Sequence, residues 1–368
     1  MKIERINLYH LRMTLRSPFE TSFGRIQTRD CILLGAFAGG LIGYGECVAD
    51  RAPGYSYETA ETGWHVLRDF MVPAVLRKEL SGPQDLDQQL SFVRGHPMAK
   101  AGLEMALWDL QGKQEERSLQ QMLGGERSRV AVGVSVGIQP SPAALLETVE
   151  GYLAQGYGRI KIKIKPGRDI AETQAVRKAF PGLRLQVDAN SAYTLETAQA
   201  LQPLDDLDLL LIEQPLAEDD LWDHSRLQAR FHSALCLDES ILSARHARQA
   251  LEMGACRIIN IKTGRVGGLS EAVAIHDLCR AQGAPVWCGG MLETGVGRAA
   301  NLALASLPGF TLPGDISASD RYYAEDITNQ RFTLNSDSTI DVPNGPGLGV
   351  TVDPEALGRA TIDRLVLQ

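Results

Sequence analysis

Short apolar runs alternate with amphipathic helical patterns along the chain from about residue 126 onward. In order, the runs read VAVGVSVGI, RIKIKI, LRLQVDA, LLLIEQP, ALCLDES, CRIINIK, APVWCGG and TLPGDI. Strands that alternate with helices are typical of a parallel sheet covered on both faces, and eight strands predict a closed barrel. We therefore predict an α/β fold built on a (β/α)7β TIM-like barrel over residues 126–326.

The segments on either side of the barrel have different patterns. Residues 1 to about 50 predict strands, with a Gly39-Gly40 turn between two apolar runs, and residues 58–125 predict helices. Together they indicate an α+β domain over residues 1–125. Residues 327–368 contain short strand-like pieces and the loop NGPGLG, and we expect this segment to pack back on the first domain.

Three acidic residues close three consecutive runs at equal intervals. Asp188, Glu213 and Asp238 are separated by 25 residues each time, which is about the length of one strand, one helix and their loops. Equal spacing predicts three carboxylates at one level, where they would repel each other unless a cation lay between them. Hard oxygen ligands suit Mg²⁺, or a similar ion such as Mn²⁺. Any one of the three, taken alone, would more often be a helix cap or a solvated loop acid.

Lysines follow the second and sixth runs. Lys161, Lys163 and Lys165 alternate in RIKIKIKPG and so share one strand face, although Lys165 precedes Pro-Gly and is assigned to a loop. Two lysines that point into a barrel need counter-charges, which the carboxylates supply. Lys262 ends the sixth run, across the lumen from the second. The alternatives are lysine stems that pack with solvated heads, or a solvated loop lysine.

These parts together suit proton abstraction next to a carboxylate. A divalent cation that ligates the substrate carboxylate stabilises the charge of the enediolate as a Lewis acid. A nearby ammonium and a metal ion favour the neutral, basic form of a lysine. Two lysines on opposite faces could exchange protons with either enantiomer, and one lysine could instead remove a proton and return it to a leaving hydroxyl group.

The motifs in the barrel resemble those of the enolase superfamily, in its muconate lactonising enzyme subgroup. Within that subgroup the chain is similar to the o-succinylbenzoate synthase / N-succinylamino acid racemase family. The similarity covers most of the chain and runs through PFETSFG, APGYSYET, GYGRIKIKIKPG, QVDANSAYT, LIEQPL, CLDES, NIKTGRVGG, PVWCGGMLETGVGR and LPGDISASDRYY. It implies that residues 1–125 form a capping domain, completed by residues 327–368.

The resemblance also implies roles for individual residues. It implies Asp188, Glu213 and Asp238 as Mg²⁺ ligands, Lys163 and Lys262 as the acid/base pair, Lys161 as an auxiliary cation near the substrate carboxylate, Asn190 and Asp315 as members of the polar shell, and Glu239 beside the third ligand. Without the resemblance, Asn190 would more often be a turn or cap residue. Asp315 follows Pro-Gly and would more often be a turn acid.

Other positions are further candidates for the substrate pocket. Phe19 and Phe23 bracket one loop of the first domain and Tyr55 lies in a second; in this family these loops close over the substrate tail. They could equally be core aromatic residues. The remaining candidates are Ser135 and Met291-Leu292, which could line the pocket or only pack at the barrel end, and Arg265, which could lower the pKa of Lys262 or lie on the surface.

Two related activities are disfavoured by the sequence. Mandelate racemase-like members use a histidine at the seventh strand, but APVWCGG has none and no histidine follows His276. Dipeptide epimerases carry paired aspartates at the eighth strand to hold an ammonium group. Here the pair reads Asp315-Ile316-Ser317, so the second aspartate is absent. This favours a substrate whose nitrogen is acylated or absent.

The resemblance implies, and we expect, the activity of an o-succinylbenzoate synthase, a carbon-oxygen lyase that dehydrates 2-succinyl-6-hydroxy-2,4-cyclohexadiene-1-carboxylate for menaquinone synthesis. Racemisation of N-succinylamino acids or other N-acylamino acids is expected as a second activity. A dedicated racemase stays open, as do the choice of side chain, acyl group and metal. A muconate cycloisomerase and a non-catalytic relative that binds an acid are disfavoured.

Composition agrees with a small-molecule enzyme. The formal charge of −8 and the scattered Lys and Arg residues argue against nucleic acid as a partner. The six cysteines show no metal-binding spacing, and those in apolar runs, such as Cys236 and Cys288, predict buried free thiols. No run predicts a membrane span, and MKIERINLYHLRM is not typical of a signal peptide, so we expect a cytoplasmic protein. The family suggests a homo-oligomer, either a dimer or an octamer.

Overall fold

The computed structural model describes residues 1–368, and its first elements form an antiparallel sheet. The strands are β1 (Arg5–Thr21), β2 (Gly24–Ala38) and β3 (Leu41–Cys47). Gly39 and Gly40 connect β2 to β3 with φ angles of 57° and 77°, a left-handed conformation that glycine adopts at little cost. The predicted glycine turn is therefore confirmed.

Helices follow this sheet, as the sequence predicts. They are α1 (Ala60–Val66), which continues through a π-helical turn (Leu67–Met71) into α2 (Val72–Val75), then α3 (Asp85–Gln89), α4 (Pro97–Gln114) and α5 (Leu119–Leu123). The long helix α4 packs on β3 and carries much of a hydrophobic core that is separate from the barrel core.

The barrel is a parallel sheet whose strands are adjacent in chain order. After β4 (Arg129–Ala131), the strands are β5 (Val134–Val136), β6 (Arg159–Lys163), β7 (Arg184–Asp188), β8 (Ile212–Glu213), β9 (Leu235–Leu237), β10 (Ile258–Ile261) and β11 (Val286–Cys288). Strands β5 to β11 form one seven-stranded sheet, and their apolar residues are buried because helices cover the outer face.

Helical segments separate these strands and form the outer layer. They are α6 (Pro142–Ala154), α7 (Ile170–Ala179), a 3-10 helix (Thr197–Leu207), α8 (Leu221–Gln228), α9 (Ala244–Glu252), α10 (Thr263–Val266), α11 (Leu269–Ala281) and α12 (Gly295–Ala305). The (β/α)7β TIM-like architecture predicted from the sequence is confirmed.

The eighth predicted strand, TLPGDI, is reduced to isolated bridges. Phe310 bridges to Val286 and Gly314 bridges to Val132, both in parallel, so this segment closes the ring between β11 and the first barrel strands. Pro313 has no N–H group to donate, which prevents a continuous ladder here. The prediction of a full eighth strand was therefore wrong, but the segment does occupy the expected place.

The first predicted barrel strand, VAVGVSVGI, is divided into two. Its first part is β4, which pairs with the antiparallel strand β12 (Thr339–Asp341), and its second part is β5, which belongs to the barrel. Gly133 lies at the division. A Cβ atom at Gly133 would lie 2.4 Å from Nε of the buried Arg159, so glycine leaves the space that this side chain occupies.

The last part of the chain returns to the first sheet. After a 3-10 turn (Ser319–Arg321) and β12, helix α13 (Pro354–Ala360) leads into β13 (Thr361–Leu367). β13 pairs antiparallel with β1, where Ile6 lies opposite Leu367. Because β12 pairs with β4 instead, the segment contacts both parts of the molecule. The boundaries 1–125, 126–326 and 327–368 remain predictions.

Two buried glutamates connect the first domain to the barrel helices. Glu46 on β3 accepts hydrogen bonds from the backbone N–H and the hydroxyl group of Thr294, at the start of α12. Glu104 on α4 accepts from the N–H groups of Leu269 and Ser270, at the start of α11. Each carboxyl group satisfies donors that a helix N-terminus leaves free, and so holds the first domain over the barrel.

All six cysteines are buried free thiols, which confirms the prediction from their apolar surroundings. None of the helices combines the length and the apolar character that crossing a bilayer requires.

Candidate active site

The three predicted metal ligands lie at the carboxyl ends of consecutive strands. Asp188 ends β7, Glu213 ends β8 and Asp238 follows β9 directly; none of the three is exposed. Asp188 pairs in register with Glu213, but Glu213 pairs with Cys236. Asp238 therefore lies two residues beyond the register partner of Glu213, because barrel strands are staggered. The three acids are neighbours, although not at the single level that equal spacing predicts.

Lysine ammonium groups lie among these carboxylates. Lys161 Nζ lies 2.9 Å from Glu213 Oε2, 3.1 Å from Asp188 Oδ2 and 2.7 Å from Asp315 Oδ2. Lys163 Nζ lies 2.6 Å from Asp188 Oδ2. Both lysines thus point into the lumen from β6, and the alternative with solvated heads does not hold.

Lys262 approaches the row of carboxylates from its other end. This residue follows β10, and its Nζ lies 2.7 Å from Asp238 Oδ2. Asp238 follows β9, which lies two strands away from β7 and Asp188. Lys262 is buried, so it is not a solvated loop lysine. The structure therefore brings Lys163 and Lys262 to opposite ends of one carboxylate row, as the two opposed bases require.

Burial and mutual repulsion affect the protonation of the carboxylate row, which consists of Asp188, Glu213 and Asp238. Burial, together with the charge of Asp188, raises the pKa of Glu213 to about 8. Burial also opposes ionisation of Asp188, but Lys163 and Lys161 hold the pKa of Asp188 well below its usual range. The row therefore carries unfavourable negative charge that further positive charge would relieve.

The donor set fits a divalent cation, although the side chains are not arranged around one. The three carboxylates do not form a metal-binding cluster in the present arrangement, in which the ammonium groups of Lys161 and Lys262 lie among them. Six carboxylate oxygens in a buried site are hard ligands of the kind that Mg²⁺ and Mn²⁺ prefer. Binding would require the flexible lysine side chains to move away from them.

Tyr55 and Arg265 complete the surroundings of Asp238. The hydroxyl group of Tyr55 donates to Asp238 Oδ1 at 3.0 Å and accepts from Lys262 Nζ at 3.1 Å. Arg265 pairs with the same carboxylate and is buried, which excludes the surface alternative. Burial lowers the pKa of Lys262, but the Asp238 carboxylate outweighs it and the pKa is raised. A lowering of this pKa by Arg265, which was one of two alternatives for that residue, does not dominate here.

Asn190 orients Lys163. Its side-chain oxygen accepts from Lys163 Nζ at 2.8 Å, and its amide nitrogen donates to Glu239 Oε1 at 2.8 Å. The backbone φ of Asn190 is 43°, and non-glycine residues in this region are often found at functional sites. Burial and the charge of Asp238 raise the pKa of Glu239 well above its ordinary value, and its Oε2 has no hydrogen-bond partner.

Asp315 lies at the floor of the site and binds several polar side chains there. Its carboxylate accepts from Ser135 Oγ at 2.8 Å and pairs with Lys161 and with Arg159 Nη1 at 2.6 Å. Arg159 was missed by the sequence analysis. It lies two residues before Lys161, so the alternation along β6 that indicated Lys161 and Lys163 also places Arg159 in the lumen.

Asn260 is a second residue that the sequence analysis missed and that strand alternation could have identified. Its amide nitrogen donates to Glu213 Oε1 at 2.7 Å, and it lies two residues before Lys262 on the inward face of β10. Trp287 on β11 was also missed; Lys161 Nζ lies 4.8 Å from its ring centroid. Nothing in the apolar run PVWC distinguished this tryptophan from core packing.

A cavity of about 340 Å³ opens onto the site. Its walls include the predicted Phe19, Phe23, Tyr55, Ser135, Lys161, Lys163, Asn190, Lys262, Met291, Leu292 and Asp315. Phe23 packs on Gly54, so the turn between β1 and β2 touches the loop of residues 50–59. We call these two segments the capping loops. Ser22 Oγ also donates to the backbone oxygen of Asn190 at 3.1 Å, which links the first loop to the barrel.

Comparison with known families agrees with this geometry. Residues 144–356 match the family described as enolase C-terminal domain-like, and residues 4–124 match the N-terminal domain of mandelate racemase / muconate lactonizing enzyme. The chain therefore belongs to the mandelate racemase / muconate lactonizing enzyme family, within the enolase superfamily.

Individual relatives narrow the similarity. The chain is 52% identical to an o-succinylbenzoate synthase of Geobacillus stearothermophilus, over 98% of this chain and 96% of the relative. It is 51% identical to an N-succinylamino acid racemase of an Amycolatopsis species, over 98% of each chain. A solved structure of an enolase superfamily member from Listeria innocua superposes with a TM-score of 0.95 at 41% identity, covering 100% of this chain and 99% of that one.

Proposed function

We propose that this protein is a Mg²⁺-dependent o-succinylbenzoate synthase that also racemises N-succinylamino acids. The observation that carries the proposal is the placement of two lysines, the partly buried Lys163 and the buried Lys262, at opposite ends of one row of carboxylates. Relatives about 50% identical over almost the whole chain are named for each of the two activities. Both activities begin with removal of a proton next to a carboxylate.

Asp188, Glu213 and Asp238 would hold the Mg²⁺ ion. When bound, the ion would act as a Lewis acid on the substrate carboxylate and stabilise the charge that develops when the adjacent proton leaves. Burial and the charge of Asp188 raise the pKa of Glu213 to about 8, and a cation bound beside Glu213 would favour its ionised form. Asn260, which donates to Glu213, and Arg265, which pairs with Asp238, would hold two of these carboxylates in place.

In dehydration, Lys163 would act at one face of the substrate. In a syn elimination the proton and the hydroxyl group leave from the same face, so one neutral lysine can remove the proton and return it to the leaving hydroxyl group. Asn190 accepts from Lys163 and would aim its Nζ at that face. Lys262, on the opposite side, would remain an ammonium group that stabilises developing negative charge.

In racemisation the two lysines would exchange roles. One lysine removes the α-proton of one enantiomer, and the other supplies a proton to the opposite face. Lys262 contacts Tyr55 and Asp238, whereas Lys163 contacts Asp188 and Asn190, so the two Nζ atoms have separate hydrogen-bond partners. Each lysine is therefore positioned by its own set of contacts.

The capping loops would cover the substrate tail and exclude water. Phe19, Phe23 and Met291 supply apolar wall to the cavity, beyond the polar floor formed by Ser135 and Asp315. Exclusion of water strengthens the electrostatic interactions of the floor and protects the charged intermediate.

A dedicated N-succinylamino acid racemase is the second candidate. It is favoured by two relatives named for that activity. One is the Amycolatopsis protein, and the other is a Thermus thermophilus protein that is 48% identical to this chain over 98% of each. A cytoplasmic location also belongs to the proposal and is supported by the six free thiols, whereas a dimeric or octameric assembly is proposed from the family resemblance alone.

Proton NMR in D₂O with Mg²⁺ tests the proposal and separates the candidates. We expect the α-proton signal of N-succinyl-phenylalanine to disappear with racemisation, and the cyclohexadiene substrate to be dehydrated. Exchange without dehydration would indicate a dedicated racemase, and dehydration without exchange a dedicated synthase. If neither substrate reacts, the proposal is wrong.

A further inference from the structure

The start of β2, next to the first capping loop, carries a cation that no acidic residue pairs with. Arg25 follows the turn at Gly24, is exposed, and lines the active-site cavity with Lys163 and Asn190. Its cross-strand neighbour is Glu20, but the Glu20 carboxylate pairs instead with Lys165 Nζ at 3.2 Å. The Arg25 guanidinium group has neither a salt bridge nor a side-chain hydrogen bond. Its five N–H groups are therefore available to a ligand in the cavity.

A second cavity, of about 360 Å³, adjoins this position and is also positively charged. Arg25, Arg168 and Arg321 line it together with Phe19 and Glu20. Arg168 pairs with Glu172, and Glu20 pairs with Lys165, so these charges are compensated.

Arg321 is the second uncompensated charge. It donates to the backbone oxygen of Ser135 at 3.0 Å and lies over the rings of Tyr152 and Tyr322, but no carboxylate pairs with it. Arg25, which lines both cavities, and Arg321, which lines only the second, are therefore two cations without a paired carboxylate. Arg321 nevertheless lies close to the active-site cavity, because it contacts Ser135 and Tyr322, which line that cavity.

We propose that Arg25 is a specificity-determining residue that binds a distal carboxylate on the acyl tail of the substrate, with Arg321 adding to the attractive field. This inference rests on the proposed function, in which one carboxylate of the substrate is directed to the Mg²⁺ ion that Asp188, Glu213 and Asp238 would hold. A dicarboxylate such as a succinyl derivative then has a second anionic group to place. The planar guanidinium of arginine can donate two parallel hydrogen bonds to a carboxylate, which gives direction as well as charge.

The remaining wall near Arg25 would not select such a tail. Phe19, Phe23 and Ile26 are apolar and would accept a neutral acyl chain as well as a charged one. Discrimination between a succinyl and a neutral acyl group would therefore depend on Arg25. Removing its charge should reduce the preference for the charged tail without affecting proton transfer at Lys163 and Lys262.

The test compares Arg25→Gln with the wild type on two substrates that differ only at the end of the tail. N-succinyl-phenylalanine carries the distal carboxylate, and N-butyryl-phenylalanine has a methyl group in its place. Racemisation is followed by circular dichroism with saturating Mg²⁺. Arg94→Gln is the matched control, because Arg94 is exposed like Arg25, lies outside both capping loops and does not line the active-site cavity.

We expect Arg25→Gln to lower kcat/KM for the succinyl substrate roughly 10- to 100-fold, mainly through KM, because binding to the tail is equal in the ground and transition states. For the butyryl substrate, the same variant should change kcat/KM by less than about twofold. Arg25→Lys should recover part of the loss as a point charge. Arg94→Gln should match the wild type on both substrates.

Equal losses on both substrates, or no loss on either, would overturn the role of Arg25 while leaving the proposed function intact. A wild type that racemises neither substrate and dehydrates no cyclohexadiene would overturn the proposed function, and this inference with it. Because Arg25 is exposed, the variant should keep the wild-type melting temperature, and a lowered one would indicate a structural role instead.

Discussion

The hydroxyl group of Tyr55 lies 3.0 Å from Asp238 Oδ1, so a side chain of the capping domain contacts an acid at the centre of the barrel. Tyr55 also accepts a hydrogen bond from Lys262, one of the two proposed bases. The sequence suggested only a lid residue above the substrate tail. The observed contact means that the position of the second capping loop influences the reacting end of the site.

Replacing Tyr55 with phenylalanine should therefore reduce activity more than loss of a lid contact would. The change removes one donor to Asp238 and one acceptor from Lys262, and hydrogen bonds to charged groups are worth about 1.5–3 kcal/mol. We expect kcat/KM for racemisation to fall by about tenfold or more. Tyr57→Phe is the control, because Tyr57 is 62% exposed and two residues away. A wild-type rate for Tyr55→Phe would show that the contact has no role in the reaction.

Lys163→Ala should abolish both dehydration and racemisation, because no other side chain can remove a proton at that face. A positioned general base contributes about 10²- to 10⁴-fold, and a loss of at least this size is expected for both reactions by NMR. Lys165→Ala is the matched control, since Lys165 lies on the same run but pairs with Glu20 outside the row of carboxylates.

Lys262→Ala should stop racemisation in both directions, because each enantiomer needs its own base. Dehydration should be reduced, because Lys262 stabilises negative charge in that reaction. Dehydration does not require Lys262 to accept a proton. The measurement is optical rotation for racemisation and ultraviolet absorbance for dehydration. Normal racemisation by this variant would disprove the two-base arrangement.

Removal of the divalent cation should end both activities. EDTA should inactivate the enzyme and added Mg²⁺ should restore it, whereas Asp238→Asn should weaken Mg²⁺ binding measured by calorimetry. A ligand present at 100 times its dissociation constant stabilises the folded state by about 2.7 kcal/mol, so Mg²⁺ should also raise the melting temperature of the wild type. Activity that survives complete chelation would contradict the assignment of the carboxylate row.

Glu104 should make stability depend on pH. Burial raises the pKa of Glu104 from 4.5 to about 7, so the folded protein favours the neutral carboxyl group. Its contribution is complete below about pH 4.5 and is lost as the pH rises through 7. Relative to Glu104→Gln, which cannot ionise, the free energy of unfolding of the wild type should fall by about 3 kcal/mol between pH 4.5 and 8.

The measurement for Glu104 is urea unfolding of both proteins across that range. Glu116→Gln is the control, because Glu116 is exposed and its replacement removes the same formal charge. A constant difference between wild type and Glu104→Gln at all pH values would mean that Glu104 does not change protonation in this range.

The strands of the barrel could be predicted because each is a short apolar run, and burial on both faces requires that composition. The same criterion failed at the eighth run, where Pro313 interrupts the ladder, and at the first, where Gly133 divides it. Asp238 was placed at the level of Glu213 because the sequence gives spacing but not register. Register depends on how the strands tilt when the ring closes, which no local pattern records.

The charged residues of the site were predictable where they end strands, and less so within them. Lys161, Lys163 and Lys262 were found because lysines in covered strands need a reason. Arg159 and Asn260 each lie two residues before one of these lysines and therefore on the same strand face. The alternation of the strand alone could have identified both as residues of the lumen. Trp287 and Arg25 depend on which elements meet in space, and the sequence does not contain that information.

The pairing of β1 with β13 has a consequence for the order of the chain. Ile6 lies opposite Leu367, and adjacent strands are about 4.8 Å apart, so the two ends of the described chain are neighbours. A short linker could join them, and the polypeptide could be reopened at an exposed surface turn such as that at Gly182. A circular permutant of this kind should fold to the same enzyme, because no contact at the site depends on which residue is translated first.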